Sequence, residues 1–353
     1  MTWENKLSTL ITDIYDYAAS QSSDPLVASV QELSHGFNDL RRFRRDDYFS
    51  QAWARSAYLG YFAPKNIARL VFLLDQLDRE GHLVELPSKP HVVDLGAGPL
   101  VGSLAFHTRF GPQGANYFAV DQSRQMLKLG RDFFNAQFPS EAQVKPISGN
   151  LKAPAKNWGP RQPADLIMVA NVLNEFGEPR RSLKTRQVFL EQLRRFLKPQ
   201  GYLLLVEPAQ RVASQGLSLL RDSWQGGKDL QLLAPCMALE TCPMGPRAPT
   251  WCHTSFHWRH PPKLFQLIQK LGFQANPLSL SYSLWQRTSK VQRPKGVRLV
   301  SDIMAKKGSS QQFMACDNQN ELIRISAKKF VDLPTPARGQ RALSSDGKPW
   351  KIK

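Results

Sequence analysis

Ile67, Leu70, Val71 and Leu74 recur at three- and four-residue spacing, which puts them on one face of a helix. No alternating strand pattern interrupts residues 1–88, so the spacing predicts an N-terminal helical region there. From residue 89 the rhythm changes. The short apolar runs HVVDLG, NYFAVD, VKPISGN, DLIMVAN and YLLLVEP are each followed by a helical stretch. Strands covered by helices on both faces are apolar throughout rather than alternating. This pattern therefore predicts a parallel sheet with crossover helices, an α/β doubly wound domain over residues 89–233. Residues 234–262 are rich in Cys, Pro, Trp and His and read as an inserted loop. LFQLIQKLGF then predicts a helix and SLSYSLWQR a strand that end the sheet over 263–289, ahead of a small basic region over 290–353.

Composition narrows the class. The 353 residues, 42% apolar and 22% charged, suffice for one large core or two smaller ones and are globular in character. No apolar run approaches the roughly 20 residues that cross a bilayer, so no membrane association is expected. The opening MTWENKLSTLITDIYDYAAS has neither the basic-then-apolar order of a secretory signal nor the acid-poor character of a mitochondrial presequence, which fits a bacterial-type cytosol.

Charge changes the picture more. A net charge of +18 is large for a small-molecule enzyme and points to a polyanionic partner, nucleic acid first. The 68 residues from Gln286 to Lys353 hold 15 Lys and Arg against 5 Asp and Glu, which is +10 of the total. Lys290, Arg293, Lys295 and Arg298 are therefore candidates to meet phosphates. A second cluster, Arg41, Arg42, Arg44 and Arg45 beside Phe37, Phe43, Tyr48 and Phe49, mixes charge with rings that can stack on RNA bases. Its other reading is a solvated helix face balanced by Asp39, Asp46 and Asp47.

The segment HVVDLGAGPLVGSLA at 91–105 carries the first candidate chemistry. A buried strand ends at Asp94, and Gly96 and Gly98 let the backbone turn tightly before the next helix, leaving main chain open to a ligand. Asp121 closes the second strand 27 positions after Asp94, where a carboxylate can accept both ribose hydroxyls of a nucleoside. Nicotinamide binding competes, yet Val101 stands where the last glycine of G-x-G-x-x-G belongs. The DLGAG pattern resembles motif I of the class I methyltransferases, whose acid lies near the methionine amino group of S-adenosylmethionine. That resemblance makes Asp94, Gly96, Gly98 and Asp121 cofactor ligands, and puts Gly149 and Asn150 against the adenine. It also puts Asn171, Asn174 and Glu175 beside the methyl-transfer pocket, where they are candidates to position the acceptor. Asn174 and Glu175 read equally well as a cap and a surface charge at the next helix. No cysteine lies in these segments to act as the nucleophile of carbon-5 methylation.

The chain has four cysteines, Cys236, Cys242, Cys252 and Cys316, three of them within 17 residues. Spacings of C-x5-C and C-x9-C with a distant fourth differ from the C-x-x-C pairs of zinc ribbons and suit a cuboidal iron-sulfur cluster wrapped by a loop. Zinc held by three cysteines and one of His253, His257 or His260 is the second reading, and four inert buried thiols the third.

Together, VVDLGAGP, FLKPQGYLLLVEPA, APC-x5-CP, WCH and SLSYSLWQR resemble the ribosomal small-subunit methyltransferase-like family, mitochondrial small-subunit assembly factors and their bacterial relatives, over roughly residues 55–330. The resemblance implies a class I methyltransferase (Rossmann-like) sheet and association with the small ribosomal subunit through its rRNA. The compartment it implies is a bacterial-type cytosol or, alternatively, the mitochondrial matrix. It further implies a [4Fe-4S] cluster on Cys236, Cys242, Cys252 and Cys316, in place of zinc, in a chain expected to be monomeric. Two functions follow from it: an S-adenosylmethionine-dependent rRNA methyltransferase, or a non-catalytic assembly factor on a methyltransferase scaffold.

Overall fold

The computed structural model divides into two units, Met1–Arg161 with His257–Leu278 and Gln162–Phe256 with Ser279–Lys353. It describes residues 2–38, 48–111, 114–139, 142–224, 229–237, 240–245, 248, 250–289, 296–307, 310–327 and 337–342. Arg41, Arg42, Arg44 and Arg45 of the N-terminal basic cluster, and Lys290, Arg293 and Lys295, lie outside the described residues.

The first unit opens with α1 (Trp3–Ala19), α2 (Leu26–Asn38), α3 (Ala52–Ala57) and α4 (Ala63–Arg79), with a π-helical turn, Tyr58–Phe62, between the last two. Ile67, Leu70, Val71 and Leu74 all face inward from α4, as their spacing predicts. Pro64 stands in the first turn of α4, directly after the π-helical turn that joins it to α3. Strands and helices then alternate: β1 (His91–Leu95), α5 (Val101–Phe110), β2 (Ala115–Asp121), α6 (Arg124–Gln137) and β3 (Ala142–Ser148). These strands are parallel and ordered β3-β2-β1. Val92, Val93, Leu95, Ala119 and Val120 are fully buried, successive residues among them on both faces, which is why the middles of β1 and β2 read as apolar runs rather than alternating. α6 starts where the Ser123 hydroxyl accepts from the Met126 amide at 3.3 Å.

The second unit comprises β4 (Ala164–Ala170), α7 (Leu183–Arg195), β5 (Leu197–Pro208), α8 (Arg211–Ser223), β6 (Leu230–Ala234) and β7 (Thr254–Phe256). The chain then supplies α9 (Pro262–Leu271) to the first unit and returns as β8 (Leu278–Arg287). The strand order is β4-β5-β8-β6. β4 and β5 are parallel, and β8 runs antiparallel to both of its neighbours. The architecture is thus mixed α/β and Rossmann-like, with the predicted final strand present and reversed.

The basic C-terminal region is a sheet of its own. β9 (Val297–Leu299), β10 (Ala305–Lys307), β11 (Ser310–Cys316), β12 (Leu322–Ala327) and β13 (Arg341–Ala342) pair antiparallel in the order β10-β11-β9-β13, with β12 on β11. Val297, Leu299, Phe313, Ala315, Ile325 and Ala342 form its core. Val297 and Leu299 flank Arg298, and Ile323 and Ile325 flank Arg324, a period of two that the density of charge conceals in the sequence. Phe313 and Ala315 flank Met314, which packs in the cysteine cluster on the other face. Among the described residues no helix is long and apolar enough to cross a membrane.

Candidate functional site

The glycine turn of the first unit is strapped to β2. The amides of Gly96 and Ala97 donate to the Val120 carbonyl at 2.8 and 3.0 Å, and Gly96 and Gly98 adopt φ of 69° and 51°. That left-handed backbone is cheap for glycine alone. Leu100 is also left-handed, at φ 65°, and completely buried at the start of α5. Backbone of this kind costs roughly 1–3 kcal/mol in a bulky residue and persists where the surroundings demand it.

The two acids predicted from the motif bracket this turn and do different work. Asp94 is 2% exposed, and its Oδ2 accepts from the Ser103 amide at 2.7 Å and the Ser103 hydroxyl at 2.9 Å. A Cβ on Gly102 would stand 2.5 Å from Asp94 Oδ1. Asp94 therefore braces the first turn of α5 from inside, and Gly102 makes the close approach that Val101 cannot. Burial pushes the Asp94 carboxyl up to about 6, with the two Ser103 donors pulling it back. Asp121 Oδ2 accepts from the Gly98 amide and Oδ1 from the Ser123 amide, both at 2.8 Å. Burial raises its pKa too, against those same amides. With Gln122 as a third amide donor, the two Asp121 oxygens together still keep acceptor capacity to spare.

Gly149 follows β3, its amide bonded to the Asp121 carbonyl at 2.9 Å. A Cβ there would come within 2.7 Å of the Trp158 Cβ. Asn150 is exposed, and its Oδ1 accepts from the Lys152 amide at 2.9 Å, an Asx turn. Gly96, Gly98, Asp121 and Gly149 are thus brought together at the ends of β1–β3, with Tyr58 4.0 Å from the place a Gly98 Cβ would take. Trp158 and Tyr58 carry no motif and escaped the sequence reading.

In the second unit, Asn171 ends β4 in the left-handed region, φ 59°, with its amide bonded to the Val206 carbonyl at 2.8 Å. Asn174 and Glu175 are exposed on the next turn. That turn is pinned by Glu207, whose Oε1 accepts from the Leu173 amide at 2.8 Å and Oε2 from the Asn174 amide at 3.1 Å. Glu207 is 2% exposed. Burial pushes its carboxyl up to about 7, and the two amides, then Arg186, pull against that. The EP pair that marks the family thus holds the turn carrying the acceptor-side candidates.

All four cysteines belong to the second unit. Cys316 ends β11 and packs with Met237, Met244 and Val300, with Cys242 and Cys252 against the same cluster. Burial pushes the Cys236, Cys242 and Cys316 thiols up to about 12. Neighbouring cysteines raise each further, and Arg221 opposes the rise at Cys236 as Arg298 does at Cys316. Among the described residues no group of three or more His, Cys, Asp or Glu side chains could hold a metal ion. Burial, then Arg338, pushes His253 down to about 4, and its Nδ1 lies 3.2 Å from the Trp251 carbonyl. His257 and His260 fall in the first unit.

A model of the family described as mitochondrial small ribosomal subunit Rsm22 matches residues 32–330. The chain belongs to the Rsm22 family. Among curated proteins, a hybrid PKS-NRPS synthetase, poxE, of Penicillium oxalicum is 24% identical over 215 residues, 60% of this chain. This Rsm22-family chain spans only 5% of the length of that relative. Among solved structures, magnesium protoporphyrin IX methyltransferase of Synechocystis PCC 6803, determined with bound SAM, has a TM-score of 0.40 at 13% identity. The match covers 74% of this chain and 97% of that one. The N-methyltransferase NodS of Bradyrhizobium japonicum WM9 has a TM-score of 0.38 at 11% identity, covering 64% and 97%.

One cation of this Rsm22-family chain is not where its charge predicts. Arg298, expected at a phosphate-contacting surface, is 3% exposed. Its Nη1 donates to the Gly339 carbonyl at 2.7 Å and its Nη2 to the Thr254 hydroxyl at 2.8 Å. Burial works against its charge, and Cys252, then Tyr282 and Cys316, more than offset that, so its pKa lies above the ordinary guanidinium value.

Proposed function

We propose that this chain is a small-ribosomal-subunit protein that binds S-adenosylmethionine at its glycine turn and docks on rRNA through its positive charge. The observation that carries the cofactor reading is the Asp121 carboxylate, half-buried at the end of β2 and held by the Gly98, Ser123 and Gln122 amides with acceptor capacity to spare. That is the chemistry a ribose diol requires. Gly96, Gly98 and the Gly149–Asn150 turn would line the rest of the nucleoside, and Asp94 would act through the α5 turn it braces. When bound, the cofactor supplies an electrophilic methyl group. Membership in a family described as mitochondrial small ribosomal subunit supports the ribosomal partner, as does a net charge of +18. A bacterial-type cytosol and the mitochondrial matrix both hold small subunits, and the family description favours the second.

Asn171, half-buried at the end of β4, is the side chain best suited to orient a methyl acceptor. Both Glu207 oxygens are engaged by backbone amides, which leaves that acid a positioning role. This favours, as a second reading, a methyltransferase scaffold that binds cofactor and ribosome without turnover. Transfer of a labelled methyl group to immature small subunits separates the two.

The [4Fe-4S] reading belongs to this proposal. In its favour are a donor set of four sulfurs, Cys316 buried and the other three half-buried, and the guanidinium of Arg298, buried and interacting with Cys252, its Nε without a hydrogen-bond partner among the described residues. A cuboidal cluster spreads its ligands more widely than one metal ion does, so it does not need the close cage absent among the described residues. Cys236, Cys242, Cys252 and Cys316 would hold it, and it would tie β11 to the loop after β6. For the cofactor, calorimetry on wild type and Asp121→Ala is decisive. Loss of at least tenfold in affinity is expected on removing hydrogen bonds to a charged acceptor, each worth about 1.5–3 kcal/mol. Equal affinity removes Asp121 from the site.

A further inference from the structure

Arg298 is a buried cation, and among the described residues no carboxylate forms an ion pair with it. Among the described residues Cys252, Tyr282 and Cys316 favour its charge most strongly, and the guanidinium lies over the Tyr282 ring at 5.5 Å. Arg221, the other buried arginine next to the cysteines, has Asp222 as an ion-pair partner. Arg298 instead donates to a neutral carbonyl and a neutral hydroxyl and interacts with the Cys252 sulfur. In the β9–β11 ladder Arg298 stands directly opposite Cys316. Directly opposed residues of antiparallel strands project on the same face with Cβ atoms roughly 5 Å apart. A guanidinium held out of water without a counter-charge is strongly unfavourable, and among the described residues the sulfurs of Cys252 and Cys316 are the groups placed to supply that anion. A thiolate that ligates metal is fully deprotonated and supplies such a charge.

We infer that Arg298 is the internal counter-charge of the four-cysteine site, retaining its thiolates and setting the reduction potential of the centre they hold. This rests on the reading that those cysteines carry a [4Fe-4S] cluster. Such a centre with its thiolates is net negative and gains a further negative charge on reduction. A fixed cation at its edge therefore stabilises the reduced form more than the oxidised form and raises the potential. The Gly339 and Thr254 bonds keep the guanidinium from swinging away, and its Nε remains the donor free for sulfur.

The test uses the full chain purified without oxygen as wild type, Arg298→Gln and Arg298→Lys. Glutamine removes the charge and can still donate to the Gly339 carbonyl. Lysine keeps the charge and loses the fork. Iron and sulfide content, visible absorption, thermal melting and the potential in a dithionite titration followed by electron spin resonance are measured on each. The glutamine variant is expected to disfavour the reduced form about tenfold, a fall of ~59 mV for one electron, or to lose its iron. The lysine variant is expected to keep iron and recover most of the potential. A glutamine variant that unfolds while the lysine variant stays folded and iron-loaded supports the charge role equally. Glutamine with wild-type iron and potential overturns it. So does a lysine variant as defective as glutamine, which would make the role one of shape. Wild type without iron or sulfide overturns the cluster reading itself, before any Arg298 variant is compared.

Discussion

Replacing Glu207 with glutamine isolates the buried acid that pins the Leu173–Asn174 turn. The wild-type carboxyl rises from 4.5 to about 7 on folding, chiefly through burial. A carboxyl with a folded pKa above its unfolded one binds extra protons in the folded state. Its stabilising share is complete below about pH 4.5 and is lost as pH climbs through about 7. At 1.36 kcal/mol per pH unit the loss is about 3 kcal/mol. Glutamine does not titrate, so the variant lacks this slope. It carries instead a constant cost of about 1–2 kcal/mol, because its NH2 must face one of the two amides that the carboxylate accepts from. Stability of wild type relative to variant should therefore fall by about 3 kcal/mol from pH 4.5 to pH 8, or about 6 °C or more in melting temperature for a cooperative unit of this size. Asp94 also has a raised pKa, and its contribution cancels because both proteins carry it. Denaturation curves at closely spaced pH values measure the difference. Parallel stability profiles for the two proteins would refute an elevated Glu207 pKa and the pinning role built on it.

Gly102→Ala puts a methyl group 2.5 Å from Asp94 Oδ1, and the acid cannot retreat without releasing Ser103. A loss of about 1–3 kcal/mol in stability and a parallel loss of S-adenosylmethionine affinity are expected, checked by melting and calorimetry; unchanged values would mean that α5 moves freely. RNA affinity should fall steeply with salt, and neutralising Lys290, Arg293 and Lys295 together, with buried Arg298 left intact, should reduce the log–log slope by roughly 2–3. An unchanged slope removes those three side chains from the interface. Cys316→Ser and Cys236→Ser, both purified without oxygen, should each lose iron and thermal stability, because the fourth thiolate links the C-terminal sheet to the cysteine loop. Full iron in Cys316→Ser with none in Cys236→Ser would assign the fourth ligand elsewhere, with His253 next in line.

The pattern of apolar positions determined which segments became helices and strands. Ile67, Leu70, Val71 and Leu74 lie inward because their spacing allows one buried face, and the middles of β1 and β2 are apolar because successive residues there are buried on both faces. The glycine turn was legible for the same local reason, since only glycine adopts φ of 69° and 51° at little cost. Family membership was legible in the EP pair and the cysteine spacings, which are matters of residue type and order. Tertiary structure alone decided the partners. That Asp94 turns inward to Ser103 while Asp121 holds Gly98 depends on where α5 and β2 meet β1. That Glu207 reaches back to the turn 33 residues before it depends on the parallel pairing of β4 with β5. Arg298 shows the limit most sharply. In the sequence it is one cation among many in a basic segment, whereas the ladder that sets β9 against β11 places it across from Cys316 and out of water. Charge counts along a chain report how many cations there are, and only the register of the strands says which of them still face the solvent.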